Sequence, residues 1–151
     1  PDAPRGAHAA VRAAVTEAAL QRPGLPLFAG GKSFGGRMTS QAQALDPLPG
    51  VRGLAFVGFP LHPAGRPSDE RAQHLFDVRL PMLFLQGTRD ELAALDWLQP
   101  LMHQLGQQAT LALFNDADHA FHVRASSGSN DTQTMAAMVE TMAGWMRSVL
   151  A

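Results

Sequence analysis

Gly31-Lys32-Ser33-Phe34-Gly35 places a serine between two glycines at the spacing G-x-S-x-G. A serine hydroxyl alone is a weak nucleophile. It attacks a carbonyl only when a base takes its proton and a third group orients that base. Both partners have candidates downstream: Asp90 in Gln86-Gly87-Thr88-Arg89-Asp90, and His119 in Asp116-Ala117-Asp118-His119-Ala120-Phe121. Ser33, Asp90 and His119 stand in the order nucleophile, acid, base. That order suits a serine on a tight strand-to-helix turn with its partners on later strands. The chemistry of such a set would be acyl transfer through a covalent acyl-serine. His119 would act first as base and then as acid, and Asp90 would hold the imidazole tautomer. The backbone N–H of Phe34, at the start of the following helix, would face the developing oxyanion.

Such a site needs elements that carry three groups to one place. Residues 25–30, 53–59, 80–87 and 109–114 are short apolar runs that read as strands. Helical patterns occupy residues 5–21, 38–45, about 68–76, 91–105 and 132–150. In the first, Val11, Val15, Ala18 and Ala19 give the buried face and Asp2 a cap. In the fourth, Pro100 is a point of kinking. In the last, Met135, Met138, Val139, Met142, Trp145, Met146 and Val149 form a stripe expected to pack on the sheet. Residues 60–67, 115–122 and 126–131 read as loops. Strands apolar on both sides and alternating with helices predict an α/β fold with a parallel sheet of about four strands. Ser33, Asp90 and His119 each follow a strand, so one rim of the sheet would receive all three.

Composition narrows the alternatives. The 151 residues are 46% hydrophobic and 17% charged with a formal net charge of −1, which excludes whole-chain disorder and gives no footprint for nucleic acid. The absence of Cys removes disulfides, a thiolate zinc site and a cysteine nucleophile, and fits a cytoplasmic location. No apolar run reaches the roughly 18 residues of a membrane span, and no signal peptide is visible. Asp116, Asp118, His119 and His122 are dense enough to consider a metal, but no second ligand segment accompanies them, so none is expected. Gly31-Lys32-Ser33 ends like a phosphate-binding loop, yet Pro26 stands where that motif needs Gly. Asp77 and Asp96 are weaker rivals for the acid, and His122 for the base. His62 reaches the same rim and reads either as a substrate contact or as a structural loop histidine. His8, His74 and His103 read as surface residues, and Arg37 as structural.

The segments 30–37, Phe59-Pro60-Leu61-His62-Pro63, Leu85-Gln86-Gly87-Thr88-Arg89-Asp90 and Asp118-His119-Ala120-Phe121-His122 resemble the α/β-hydrolase family. The likeness is to its small dienelactone-hydrolase-like members, including the testis-expressed and chromatin-complex hydrolase-like branch. The resemblance implies Ser33 as nucleophile, Asp90 as acid and His119 as base. It covers the C-terminal part of that fold. The chain is therefore expected to be one domain over residues 1–151 lacking the early strands and the loop that carries a second oxyanion donor. Residues 59–80 leave no room for a lid, so the site should be shallow, with Phe34, Met38, Phe59, Leu61 and Phe121 as its apolar wall, His62 as a substrate contact, and a small ester or thioester as substrate. No cofactor is implied. The alternative reading is a hydrolase-like binding or scaffold module that has lost catalysis, and a third is a homodimer that completes the sheet.

Overall fold

The computed structural model describes residues 3–151. Along the chain run α1 (Ala3–Gln21), β1 (Leu27–Lys32), α2 (Phe34–Leu45), β2 (Val51–Val57), a 3-10 helix (Glu70–Asp77), β3 (Met82–Gly87), α3 (Leu95–Leu105), β4 (Ala109–Phe114) and α4 (Asp131–Leu150). The four strands form one parallel sheet in the order β1-β2-β3-β4. Register aligns Lys32 with Val57, Val57 with Leu85, and Gly87 with Phe114, so the strands' C-terminal ends make one rim. No helix among the described residues is long and apolar enough to cross a membrane.

The period of two along each strand divides the core into two layers. Leu54 and Phe56 of β2, with Met82 and Phe84 of β3, face α1, α2, the 3-10 helix and α3. Ala55, Leu83 and Leu85 face α4 and the segment after β4. All six residues of β3 are buried, as a central strand covered on both sides requires. Phe56, Phe59 and Phe84 pack with centroids 4.8 to 5.7 Å apart in tilted and edge contacts. Burying each such ring contributes about 1.5–3 kcal/mol.

Several helices depart from expectation. α2 begins at Phe34, immediately after Ser33 and four residues before the expected Met38. Gly35 and Gly36 are poor helix formers, but tertiary contact overrides propensity. The strand and helix backbones touch, and a Cβ on Gly36 would lie 2.7 Å from the Gly31 carbonyl oxygen. α3 begins at Leu95 rather than at residue 91, because the backbone there bonds elsewhere. Leu92 N–H donates to the Asp90 carboxylate (2.8 Å) and Ala94 N–H to His62 Nε2 (3.0 Å). α3 continues through Pro100.

On α1, Val15 is buried and Val11 partly so, while Ala18 and Ala19 are exposed; the cap expected at Asp2 lies outside the described residues. On α4, Met138 and Trp145 are buried, and Met142, Met146 and Val149 pack beside them, but Met135 and Val139 face solvent. His74 is no surface residue: it is half-buried, and its Nε2 lies 2.6 Å from Ser40 Oγ. Burial and then the Arg37 charge push its pKa down to about 4.

Candidate active site

Ser33 closes β1 and opens α2. Its N–H donates to the Val57 carbonyl (3.0 Å) as the last rung of the sheet, and its carbonyl accepts the Arg37 N–H (3.2 Å) as the first of the helix. Serving both within one residue forces φ 51° and ψ −123°, a conformation few non-glycine residues adopt. Close approach explains one flanking glycine: a Cβ on Gly31 would lie 2.9 Å from the backbone of Gly35 and Gly36. Gly35 has open space around it, so the second crowded position is Gly36.

The Ser33 hydroxyl donates to His119 Nε2 at 2.7 Å, and His119 Nδ1–H donates to Asp90 Oδ2 at 2.8 Å. The proton on His119 follows from its partners: a carboxylate only accepts, so Nδ1 carries the hydrogen and Nε2 of the neutral ring is the acceptor. The Asp90 side chain has no solvent access, while that of His119 keeps 25%. Leu92 N–H occupies Asp90 Oδ1 (2.8 Å), and Gln86 Nε2 donates to Oδ2 (3.3 Å). Gln86 is the partner that the sequence reading missed. Its signal was that of a lone polar side chain in the apolar run of β3.

Two loops hold His119 in place. The Asp118 carboxylate turns its own loop by accepting from Ala120 N–H (3.0 Å) and His122 N–H (2.9 Å). Gly58, at φ +72°, leaves room for the ring: a Cβ there would lie 3.3 Å from His119 Cε1. Asp116 ties the base of the loop to the Asp90 segment. Its N–H donates to Thr88 Oγ1 (2.8 Å), its carbonyl accepts Arg89 Nε (2.7 Å), and its carboxylate pairs with Arg124. The Arg124 hydrogen bonds hold the Asp116 pKa down to about 2, from 3.8. A depressed acid contributes stability above its unfolded pKa and loses it as pH falls through the folded one. Asp116→Asn, tolerated at φ 66°, should therefore be less stable at neutral pH, and the gap should narrow between pH 4 and pH 2. Urea unfolding across that range measures it; a gap independent of pH would contradict the assignment.

Two of the residues weighed as metal ligands are engaged by other side chains. Asp116 is taken by Arg124, and His122 Nδ1 pairs with Asp131 (2.7 Å). Among the described residues no three His, Cys, Asp or Glu side chains converge on an ion site. His122 carries a raised pKa, first through its hydrogen bond to Asp131, and its Nδ1 is paired there rather than with Ser33 or Asp90.

The expected wall needs correction. Phe59 and Leu61 are 0%, His62 is 1% and Met38 is 2% exposed. They form the layer beneath the rim and present no surface to a substrate. The chain after β2 turns inward, and the Phe59 N–H is taken by Gln86 Oε1 at 2.6 Å. His62 is structural: Nδ1–H donates to the Pro63 carbonyl (2.8 Å) and Nε2 accepts Ala94 N–H (3.0 Å). Phe121 is 5% exposed, with its ring centroid 6.1 Å from that of Phe114. The apolar side chain exposed beside Ser33 is that of Phe34, at 52%. An open cleft of about 420 Å³ adjoins His119, lined by Arg89, Glu91, Leu92, Asp118, His119 and Ala120. A more apolar groove of about 310 Å³ lies between α1 and β1, but neither Ser33, Asp90 nor His119 lines it.

A parallel sheet between helical layers, with polar groups gathered where the strands end, defines an α/β protein whose candidate site lies outside the carboxyl ends of its strands. The chain belongs to the alpha/beta hydrolase family, whose domain matches residues 1–147. Among solved structures, it is similar to the esterase domain of a Rhodothermus marinus protein. The TM-score is 0.69 at 20% identity, over 93% of this chain and 68% of that one. It is also similar to an alpha-beta serine hydrolase homologue from Coxiella burnetii (TM-score 0.64, 18% identity, 79% of this chain, 53% of that one). A third is a lidless a/b serine hydrolase from Xanthomonas campestris (TM-score 0.51, 29% identity, 73% of this chain, 46% of that one). The chain thus spans about half the length of the latter two.

Proposed function

We propose that this chain carries the catalytic groups of a serine hydrolase acting on small esters or thioesters. The observation that supports this most is the unbroken line from Ser33 Oγ through His119 to the buried Asp90 carboxylate, with contacts of 2.7 and 2.8 Å. In this reading His119 Nε2 takes the Ser33 proton as Oγ bonds to the substrate carbonyl carbon. The carbonyl becomes an oxyanion, facing the Phe34 N–H in the unpaired first turn of α2. Collapse breaks the bond to the alcohol or thiol, which leaves with the proton from His119. Water then repeats the sequence on the acyl-serine: His119 takes a water proton, and Ser33 recovers its own as the acid departs. Asp90 keeps the ring oriented and stabilises the imidazolium. No cofactor enters these steps, and the lack of Cys supports a cytoplasmic setting.

The open cleft beside His119 supports a small substrate, as does the interval between β2 and β3, which holds one 3-10 helix. The similarity to a lidless serine hydrolase agrees with that. The test is intact-mass spectrometry after fluorophosphonate treatment, with hydrolysis of p-nitrophenyl acetate and palmitate in parallel. We expect one adduct, abolished by Ser33→Ala, and turnover of the short ester. No adduct, or an adduct that survives in that variant, overturns the mechanism. Preference for the palmitate overturns the substrate size.

A further inference from the structure

We propose that Gln86 is a positioning residue that holds the Asp90 carboxylate in register with His119, an inference that rests on the serine-hydrolase reading above. Gln86 is fully buried in β3, between Leu85 and Gly87, in a strand whose other side chains are apolar. A carboxamide placed there costs free energy unless both of its ends find partners. Both do, and the partners leave no choice of orientation. The Phe59 N–H can only donate, so the oxygen Oε1 faces it at 2.6 Å. That turns Nε2 onto Asp90 Oδ2 at 3.3 Å. Oδ2 is the same oxygen that accepts the His119 Nδ1–H at 2.8 Å.

The carboxylate is thereby fixed from three sides. Leu92 N–H holds Oδ1, and Gln86 and His119 share Oδ2. Without Gln86, the only group left on Oδ2 is His119 itself, the ring whose position that oxygen is meant to set. Gln86 also ties two parts of the site together. Phe59 follows Gly58, where an added Cβ would meet His119 at 3.3 Å, so the residue that grips the acid also anchors the backbone beside the base. Among the described residues, His119 is the one titratable side chain bonded to Asp90. Gln86 touches neither Ser33 nor the open cleft, so its effect on the reaction passes through Asp90.

Two variants separate positioning from packing. Gln86→Leu removes both hydrogen bonds. Gln86→Glu keeps an acceptor for the Phe59 N–H and puts a carboxyl oxygen where the amide nitrogen was. While protonated, that carboxyl donates to Asp90 Oδ2 as the amide did. Once ionised, it repels the carboxylate. Burial beside a like charge raises its pKa well above the ordinary glutamate range. We expect Gln86→Leu to lower kcat roughly 10- to 100-fold with KM within about twofold, since mispositioning of a catalytic group is felt in the transition state. We expect Gln86→Glu to retain activity at neutral pH and to acquire an alkaline limb in kcat that the native protein lacks. Folded Gln86→Leu with native kcat overturns the proposal.

A second readout needs no turnover: the far-downfield proton resonance of the His119 Nδ1–H···Asp90 hydrogen bond. It should shift or broaden in folded Gln86→Leu, and in Gln86→Glu it should move with the pH of the introduced carboxyl. An unchanged resonance in folded Gln86→Leu also overturns the proposal. Absence of fluorophosphonate labelling and ester turnover in the native protein would instead overturn the serine-hydrolase reading, while the resonance still tests the grip of Gln86 on Asp90.

Discussion

Ser33→Gly and Ser33→Ala are both expected to lose ester hydrolysis by about 10⁴-fold or more, as removal of a serine nucleophile does elsewhere. They should nevertheless differ in stability, in an order opposite to the usual ranking of the two residues. Alanine normally stabilises relative to glycine by about 0.4–1 kcal/mol, because it restricts the unfolded chain. At φ 51° and ψ −123° the native backbone strains any residue with a Cβ, at a cost of order 1–3 kcal/mol. Glycine escapes that strain, and both variants equally lose the hydroxyl bond to His119. The net expectation is that Ser33→Gly is more stable than Ser33→Ala by about 1 kcal/mol. Urea melts of the two variants side by side measure it. If Ser33→Ala is the more stable, position 33 stores no strain, and the account of the strand-to-helix turn is wrong. Either variant retaining ester turnover would remove Ser33 from the mechanism.

Position 33 also shows what the sequence made legible. Gly31, Ser33 and a strand-to-helix transition are local features, and the order of Ser33, Asp90 and His119 behind successive apolar runs follows from topology alone. Parallel strands deliver their C-terminal ends to one rim wherever the connections return on the same sense. The family resemblance drawn from those segments agrees with the domain match over residues 1–147.

Depth was the quantity that could not be read. Phe59, Leu61 and His62 follow β2 just as Asp90 follows β3, so strand adjacency alone puts them on the rim. Their true positions depend on where backbone N–H groups find acceptors. The Phe59 N–H is drawn inward by Gln86, and His62 bridges Pro63 and Ala94. The bonds from Phe59 to Gln86 and from Ala94 to His62 join residues 27 and 32 positions apart in sequence, so no local pattern signals them. The same cause moved the start of α3. Asp and His side chains satisfied the amides of residues 92 and 94, and the helix began once they were spent. The α4 stripe failed differently: period alone does not say how wide a face the sheet can cover, and Met135 and Val139 lie beyond it.

The strongest test of the hydrogen-bonded line is a substitution that changes one atom. Asp90→Asn keeps size and shape, and its oxygen should remain on the Leu92 N–H, the donor that holds Oδ1 now. The new amide NH₂ then replaces Oδ2 and confronts two donors, Gln86 Nε2 and His119 Nδ1–H. His119 can answer by moving its proton to Nε2, so that Nδ1 accepts from the asparagine. That tautomer presents a donor to Ser33 and cannot take its proton. Loss of the negative charge also leaves the imidazolium of the transition state without its partner. The expected fall in kcat is about 10⁴-fold, with KM little changed, because neither effect touches the ground-state ester. The fluorophosphonate labelling rate of Ser33 should fall in parallel, since it depends on the same proton transfer. Stability should drop by about 1–3 kcal/mol, the cost of apposed buried donors left unpaired. Retention of labelling within tenfold of the native rate would mean that the 2.8 Å contact between Asp90 and His119 orients a ring that Ser33 does not need. The nucleophile would then have to draw its activation from the helix terminus alone.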